Sequence, residues 1–187
     1  ESVAMLQSES ERLSRLTENL MTLARSDEDF LPVYTAQVDM TAMCKKVAAQ
    51  MTLLAAEKRL QLKQEIQDNL IMQGDEMALS RLLIILLDNA MKYSPEQTQI
   101  TLRAAKVKTH LVLEVRDEGC GISDEDKQKI FDRFFRVDKA RSRSQGGLGL
   151  GLSLALAIVR QHGGSIKVLD NKPRGTIIYV KLPMAAK

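Results

Sequence analysis

Gly146-Gly147-Leu148-Gly149-Leu150-Gly151-Leu152 sets four glycines in six residues at the head of an apolar helical pattern over 149–162, which Gly163-Gly164 ends. Glycine is the poorest helix former after proline, so such a cluster at a helix start is costly unless its bare amides are used. Unpaired N–H groups and the positive end of the helix dipole make that start an anion site suited to phosphate. A merely flexible loop is the alternative. The string is neither GxxxxGK[ST] nor GxGxxG, because Leu152 stands where the last glycine would be.

Working back from it, Ile130-Phe131-Asp132-Arg133-Phe134-Phe135-Arg136 is followed by Lys139, Arg141 and Arg143. Residues 133–143 hold five cations against the single anion Asp138. A solvated basic loop explains the charge but not the phenylalanines, which would anchor a segment whose arginines swing onto a charged ligand. Earlier still, Asp117-Glu118-Gly119-Cys120-Gly121 follows a strand pattern. Its glycines allow a sharp turn and close approach to a ligand, and Asp117 could accept from an exocyclic amine; a plain Gly-rich turn fits as well. Finally, Asp88-Asn89-Ala90-Met91-Lys92-Tyr93-Ser94-Pro95 closes a strongly apolar helical stretch. Asn89 and Lys92 emerge on nearly one face, where an amide oxygen can ligate Mg²⁺ and an ammonium can meet phosphate. An ordinary polar helix end is the competing reading.

Around these motifs, helical and extended patterns alternate. Residues 34–39 read as a short strand, and Asp39 or Thr41 could cap a helix to about Lys58. The alternation over 60–66 predicts a half-buried strand that 69–73 could pair with. Asp75 precedes the helix ending near Tyr93, with Pro95 as its stop. Strand patterns follow at 98–105, 110–117, 165–169 and 175–182. Mainly antiparallel strands, with helices that could all cover one face, predict an α/β two-layer sandwich. Residues 1–25 differ: Leu6, Leu13 and Leu20 form one seven-residue series, and Leu16 and Leu23 a second. Such a helix needs a partner along its length, either another helix or its own domain. Ser26-Asp27-Glu28-Asp29 and Pro32 then read as a linker over 26–33.

Composition bounds the rest. In 187 residues, 44% are hydrophobic and the net charge is only +3, which excludes a disordered chain. Aromatics at 4% give little material for base stacking, so nucleic acid is not an expected partner. No run approaches a membrane span, and the N-terminus does not read as a signal peptide. Cys44 and Cys120 match no metal-ligand spacing and read as free thiols in a reducing, cytosolic setting.

Taken in order, Asn-x-x-Lys-Tyr, D-x-G-x-G, F-x-R-F-F-R and G-x-G-L-G-L resemble the N, G1, F and G2 boxes of the ATP-binding catalytic domain of sensor histidine kinases. That family shares the Bergerat-type nucleotide fold of gyrase, Hsp90 and MutL ATPases. The resemblance covers about 34–183 and includes His162-Gly163-Gly164, Gly175-Thr176 and Leu182-Pro183, while the F box points to kinases rather than ATPases. Residues 1–25, ending Leu-Ala-Arg, resemble the second helix of the family's dimerisation hairpin, which leaves 34–187 as the catalytic domain.

The resemblance implies a mixed, mainly antiparallel sheet covered on one face by helices, with ATP and Mg²⁺ as cofactors. It implies that Asn89 coordinates Mg²⁺, Lys92 contacts phosphate and Tyr93 lines the nucleotide. Asp117 would bind the adenine amine, with Gly119, Gly121 and Ile122 framing the base. Arg133 and Arg136 match basic residues near the phosphates, beside Phe134, and 137–148 would form an ATP lid. Gly147, Leu148, Gly149, Leu150, Gly151 and Leu152 would make the phosphate-facing helix start, with Thr176 close by. The implied chemistry is γ-phosphoryl transfer to a histidine and thence to a response-regulator aspartate. Implied partners are ATP or ADP, a receiver domain, and a second copy through the N-terminal helix. The parent would be a membrane-anchored bacterial sensor kinase of which this is a cytoplasmic portion.

Three departures matter. Ile85 stands where the N box usually has a second Asn and where the ATPase relatives place a Glu base, so Mg²⁺ is expected to have fewer protein ligands. Leu148 replaces a common small hydroxyl residue. Neither His110 nor His162 has the context of a phosphoacceptor, so the chain is expected to bind nucleotide without phosphorylating itself. An impaired nucleotide binder, an ATP-driven conformational module and an anti-sigma type serine kinase are the rival readings.

Overall fold

Two aspartates start the main helices. Asp39 Oδ1 accepts from the Ala42 N–H at 2.9 Å, opening helix α1 (Met40–Glu57) after strand β1 (Ala36–Asp39). Asp75 Oδ1 accepts from the Ala78 N–H at 3.0 Å, opening helix α2 (Glu76–Tyr93). Leu79, Leu82, Leu83, Leu86, Leu87, Ala90 and Met91 form the buried stripe of α2. Each large side chain among them stabilises the fold by about 1.5–3 kcal/mol. The computed structural model describes residues 36–137 and 149–184. The heptad segment 1–25, the linker 26–33, most of the expected lid, and Gly146, Gly147 and Leu148 lie outside the described residues.

Strands β2 (Gln61–Ile66), β4 (Gln99–Val107), β5 (His110–Arg116), β7 (Thr176–Pro183) and β6 (Ser165–Asp170) form one sheet in that order. The β2–β4 pair is parallel and the others are antiparallel. A parallel pair needs a crossover connection, which α2 provides. Helix α3 (Gly151–Gln161) packs with α2, and its buried residues include Leu154, Ala155, Ile158 and Val159. Register puts Leu102, Val115 and Ile178 on the helix-covered face, and Arg103, Glu114 and Tyr179 on the other. The protein is therefore the α/β sandwich with a mainly antiparallel sheet that the sequence predicts. Among the described residues, every one belongs to the unit Val33–Lys187.

One strand pairing differs. Strand β3 (Ile71–Gly74) lies antiparallel to β1 in a separate two-stranded sheet, not beside β2. The Gln67 N–H still reaches Ala104 O at 2.9 Å, extending β2 along β4. The chain then turns at Asn69, whose φ is 60°, and is captured by the start of α1. There the Thr41 hydroxyl donates to Gln67 O at 2.9 Å and accepts from the Leu70 N–H at 3.0 Å. The Met40 N–H adds a bond to Leu70 O at 2.8 Å.

His162 joins two elements. Its Nδ1 donates to Ile158 O at 2.8 Å, and its Nε2 accepts from the Asp75 N–H at 3.1 Å, tying the end of α3 to the start of α2. His110 lies on β5, with Nδ1 3.0 Å from the Thr109 hydroxyl. Cys44 is buried, which pushes its thiol up to about 12, and Cys120 is exposed; both are free.

Candidate functional site

Strand β5 ends at Arg116, and the next residue turns inward. Asp117 is 7% exposed. Its Oδ1 accepts from the Gly119 N–H at 2.8 Å and the Thr176 N–H at 3.1 Å. Burial raises its carboxyl above the ordinary carboxylate range, and these two amides partly offset the rise. Both bonds fall on Oδ1, which leaves Oδ2 as the acceptor available to a ligand. Gly119 lies so close to the end of α2 that a Cβ there would stand 2.6 Å from Tyr93 O and 2.8 Å from Asp117 Oδ1. Tyr93, Asp117, Gly119 and Thr176 thus form one group, with Ile122 half-buried beyond Gly121.

Further up α2, the Asn89 Nδ2 donates to Ile85 O at 2.9 Å, so Oδ1 is the free end of that amide. A Cβ on Gly151 would meet Ile85 Cγ2 at 3.4 Å and Asn89 Nδ2 at 3.6 Å. The glycine-rich start of α3 therefore packs on the very turn of α2 that carries Asn89 and Ile85. Among the described residues, no group of three or more His, Cys, Asp or Glu could hold a metal ion. A cation at Asn89 Oδ1 would take most of its ligands from outside the protein.

Lys92 and Arg136 supply positive charge. Burial lowers the Lys92 ammonium below its ordinary value; Arg136 and Lys58 add to this, and Asp88 opposes it. Its Nζ stands 5.7 Å from the Tyr93 ring centroid. Burial also raises the Tyr93 hydroxyl, against the pull of Arg136. The Arg136 Nη2 is buried and has no hydrogen-bond partner among the described residues. Two cations sharing one region, one with an unanswered buried donor, make a place for an anion.

The aromatic segment is bolted to the glycine segment. The Phe134 N–H donates to Gly149 O at 2.9 Å. Gly149, at φ 72°, comes so near that a Cβ would lie 2.8 Å from Phe135 O. Phe134 itself is 61% exposed, at φ 63°, and Arg133 is exposed as well. Leu150 is buried, and its carbonyl accepts from the Ser153 hydroxyl at 2.9 Å; Leu152 is half-buried.

Two residues that the sequence did not single out complete the group. On the turn between β6 and β7, Asn171 Nδ2 donates to Asp117 O at 2.8 Å. Arg174 Nε donates to Gly119 O at 2.9 Å. A polar stretch ending in glycine announces a turn, but nothing local to it tells which loop it will touch.

Over 182 residues the chain is 42% identical to sensor protein CiaH of Streptococcus pneumoniae, covering 97% of this chain and 40% of that protein. Sensor protein SrrB of Staphylococcus aureus is 33% identical over 183 residues, covering 98% of this chain and 31% of SrrB. The chain thus spans less than half the length of these relatives. Among solved structures, the Acinetobacter baumannii histidine kinase AdeS superposes with a TM-score of 0.81 at 26% identity, covering 97% of this chain and 83% of that one. Residues 74–186 match the family of histidine kinase-, DNA gyrase B- and HSP90-like ATPases, and the chain belongs to that family.

Proposed function

We propose that this chain is the ATP-binding catalytic domain of a sensor histidine kinase, transferring the γ-phosphoryl group of ATP to a histidine on a dimerisation hairpin. From there the group passes to an aspartate on a response-regulator receiver domain. The carrying observation is the convergence of the buried Asp117 group, the Arg136 guanidinium and the glycine-led start of α3 on the last turns of α2, which carry Asn89, Lys92 and Tyr93. In this reading 1–25 is the second hairpin helix, through which the parent self-associates, 26–33 is a linker and 34–187 is the catalytic domain. The parent is a membrane-anchored bacterial sensor with this part in the cytoplasm. Among the described residues, no helix is long and apolar enough to cross a membrane.

The chain's own residues would divide the work. Asp117 Oδ2 accepts from the adenine amine, with Gly119, Gly121, Ile122, Tyr93 and Thr176 framing the base. Lys92, Arg136 and Arg133 neutralise the phosphates; the Phe134 ring is too exposed to anchor their segment as the sequence suggested, and its N–H bond to Gly149 O does so instead. The amides of Gly149 and Leu150 and the first amides of α3, Gly151 and Leu152, would face the phosphate oxygens, with Gly147 and Leu148 expected to add theirs. Asn89 Oδ1 would hold Mg²⁺, which would supply neutralisation of the negative charge that develops on the phosphates. Catalysis by this domain is then positioning and charge neutralisation, the covalent phosphoryl carrier being the hairpin histidine.

The acceptor histidine in this reading lies elsewhere in the parent: both ring nitrogens of His162 are committed to the backbone, and His110 sits on strand β5 rather than on a helix. The test supplies a separate hairpin bearing an acceptor histidine, with ATP and Mg²⁺, and measures acid-labile phosphate. Label is expected on the hairpin and none on this chain alone. ATP hydrolysis without transfer would favour an ATP-driven conformational module, and nucleotide binding with neither would indicate an impaired binder. Ile85 weighs against the ATPase, because an alkyl side chain cannot activate water.

Ile85 also makes a prediction. Replacing it with Asn would set a second amide oxygen one turn from Asn89, on the face that meets Gly151. Ile85→Asn is expected to lower the Mg²⁺ concentration that half-saturates nucleotide binding by about tenfold, the scale on which a supporting ligand tunes a metal site. An unchanged Mg²⁺ titration would show that residue 85 does not face the cation.

A further inference from the structure

The Asp117–Gly119 loop is held from a direction that none of the four boxes supplies. On one side of residue 118, Asn171 Nδ2 donates to the Asp117 carbonyl at 2.8 Å; on the other, Arg174 Nε donates to the Gly119 carbonyl at 2.9 Å. The neighbouring Thr176 N–H reaches Asp117 Oδ1 at 3.1 Å, and its carbonyl accepts from the Asp117 N–H at 2.9 Å. Gly175, between them, leaves no gap, since a Cβ there would fall 1.9 Å from Asp117 O. Asn171 and Arg174 line, with Cys120 and Ile122, an open cleft of about 430 Å³ that includes neither Asn89 nor Lys92.

These bonds have a geometric consequence. The Asp117 carboxylate takes its direction from the Gly119 and Thr176 amides, and Arg174 holds the peptide that follows Gly119, limiting how far that residue can swing. The Asp117 carbonyl is fixed independently by Asn171. Holding a long arginine side chain on a backbone carbonyl costs rotamer entropy, so its geometry is informative.

We propose that Asn171 and Arg174 are positioning residues for base selectivity: they lock the loop so that Asp117 Oδ2 points at an exocyclic amine on the purine. The proposal rests on the reading of Asp117 as the acceptor for that amine. A loop freed from the clamp still has room for a purine, but its carboxylate wanders and no longer favours one six-substituent over another.

The experiment titrates the full chain with ATP and with purine riboside triphosphate, which carries hydrogen in place of the amine. Wild type is expected to prefer ATP by about tenfold or more, the range of one charge-assisted hydrogen bond. In Asn171→Ala/Arg174→Ala the preference is expected to shrink to under about threefold, almost wholly through weaker ATP binding, with the analogue held within about twofold. A merely structural role would weaken both nucleotides equally; that result, or an unchanged ratio, overturns the proposal. Absence of any preference in wild type overturns the Asp117 reading, and the clamp with it, before a variant is made. Arg174→Ala alone, which removes one exposed side chain, carries the same comparison should the double variant unfold.

Discussion

Asp117→Asn is expected to lose ATP by at least about thirtyfold while melting no lower than wild type. The two halves share one cause. Asp117 Oδ1 already accepts from the Gly119 and Thr176 amides, and an asparagine keeps both bonds only by placing its carbonyl oxygen there. Its Nδ2 then stands where Oδ2 was, so a donor faces the donor amine of adenine. The lost charge-assisted bond and the new donor–donor conflict together account for the size of the effect. Stability runs the other way. Burial raises the carboxyl, the two amides offset that only in part, and the folded state therefore binds the proton more tightly than the unfolded chain. Stability then falls as pH rises from the ordinary carboxylate value through the raised one, and this cost is fully present above the raised value. Asparagine removes it, so the variant's advantage should be present above that value and vanish in acid. For wild type, nucleotide binding should fade on acidification at a pH above the ordinary carboxylate range. Thermal melts and ATP titrations at several pH values check both halves. A melting point several degrees lower would show that the amide does not keep the Oδ1 bonds, and ATP affinity within about threefold of wild type would show that the base amine is not read there.

Why some of this is legible in sequence follows from range. Asp39 and Asp75 cap helices through amides three residues on, so the signal and its effect are neighbours. Alternation in 98–105 and 110–117 reports the sheet's two faces in the same local way. The partner of a strand is a different matter. LQLKQEI followed by a short apolar run reads as a hairpin, yet Ile71–Gly74 pairs with Ala36–Asp39, a choice made by Thr41 and Met40 bonding to residues 67 and 70. Likewise, period-two reading puts Glu114 on the polar face but does not say that Arg103, at 2.7 Å, and Arg116 will enclose it until its side chain is 7% exposed.

The site divides along the same line. Its motifs are recognisable because each is a local demand: glycines where backbone approaches ligand, an amide and an ammonium one helical turn apart, an aspartate at a strand end. Their mutual contacts, Gly151 on Asn89 and Gly149 on Phe134 and Phe135, are implied by that order but not derivable from any one motif. The clamp from Asn171 and Arg174 is illegible, because hydrogen-bond donors in a turn carry no periodicity and leave no composition signature.

The largest stability effect should come from that same turn. Gly175 has φ of 116°, a region closed to residues with a side chain, and its missing Cβ would lie 1.9 Å from Asp117 O, 2.7 Å from Asp117 C and 2.8 Å from Glu118 Cα. All three are backbone atoms, so no rotamer change relieves the overlap; either the turn or the loop must move by more than an ångström. Movement of either breaks the Thr176 amide bond to Asp117 and the Asn171 N–H bond to Gly175 O, now 3.0 Å. Strain of about 1–3 kcal/mol for the backbone, with about 1 kcal/mol for each hydrogen bond lost, puts Gly175→Ala at about 3 kcal/mol or more of destabilisation. That lowers the melting point by about 6–12 °C in a chain of this size. Gly151→Ala is the contrasting case. Its added Cβ would meet only Ile85 Cγ2 at 3.4 Å and Asn89 Nδ2 at 3.6 Å, at the first position of α3, where alanine keeps part of the advantage of about 1 kcal/mol that it has over glycine in a helix interior. It should melt at or above wild type. Were Gly175→Ala to melt within about 2 °C of wild type, the loop would be free to retreat. A loop that yields so easily could not hold the Asp117 carboxylate to one direction, and Gly175→Ala would then bind ATP as tightly as the unaltered chain.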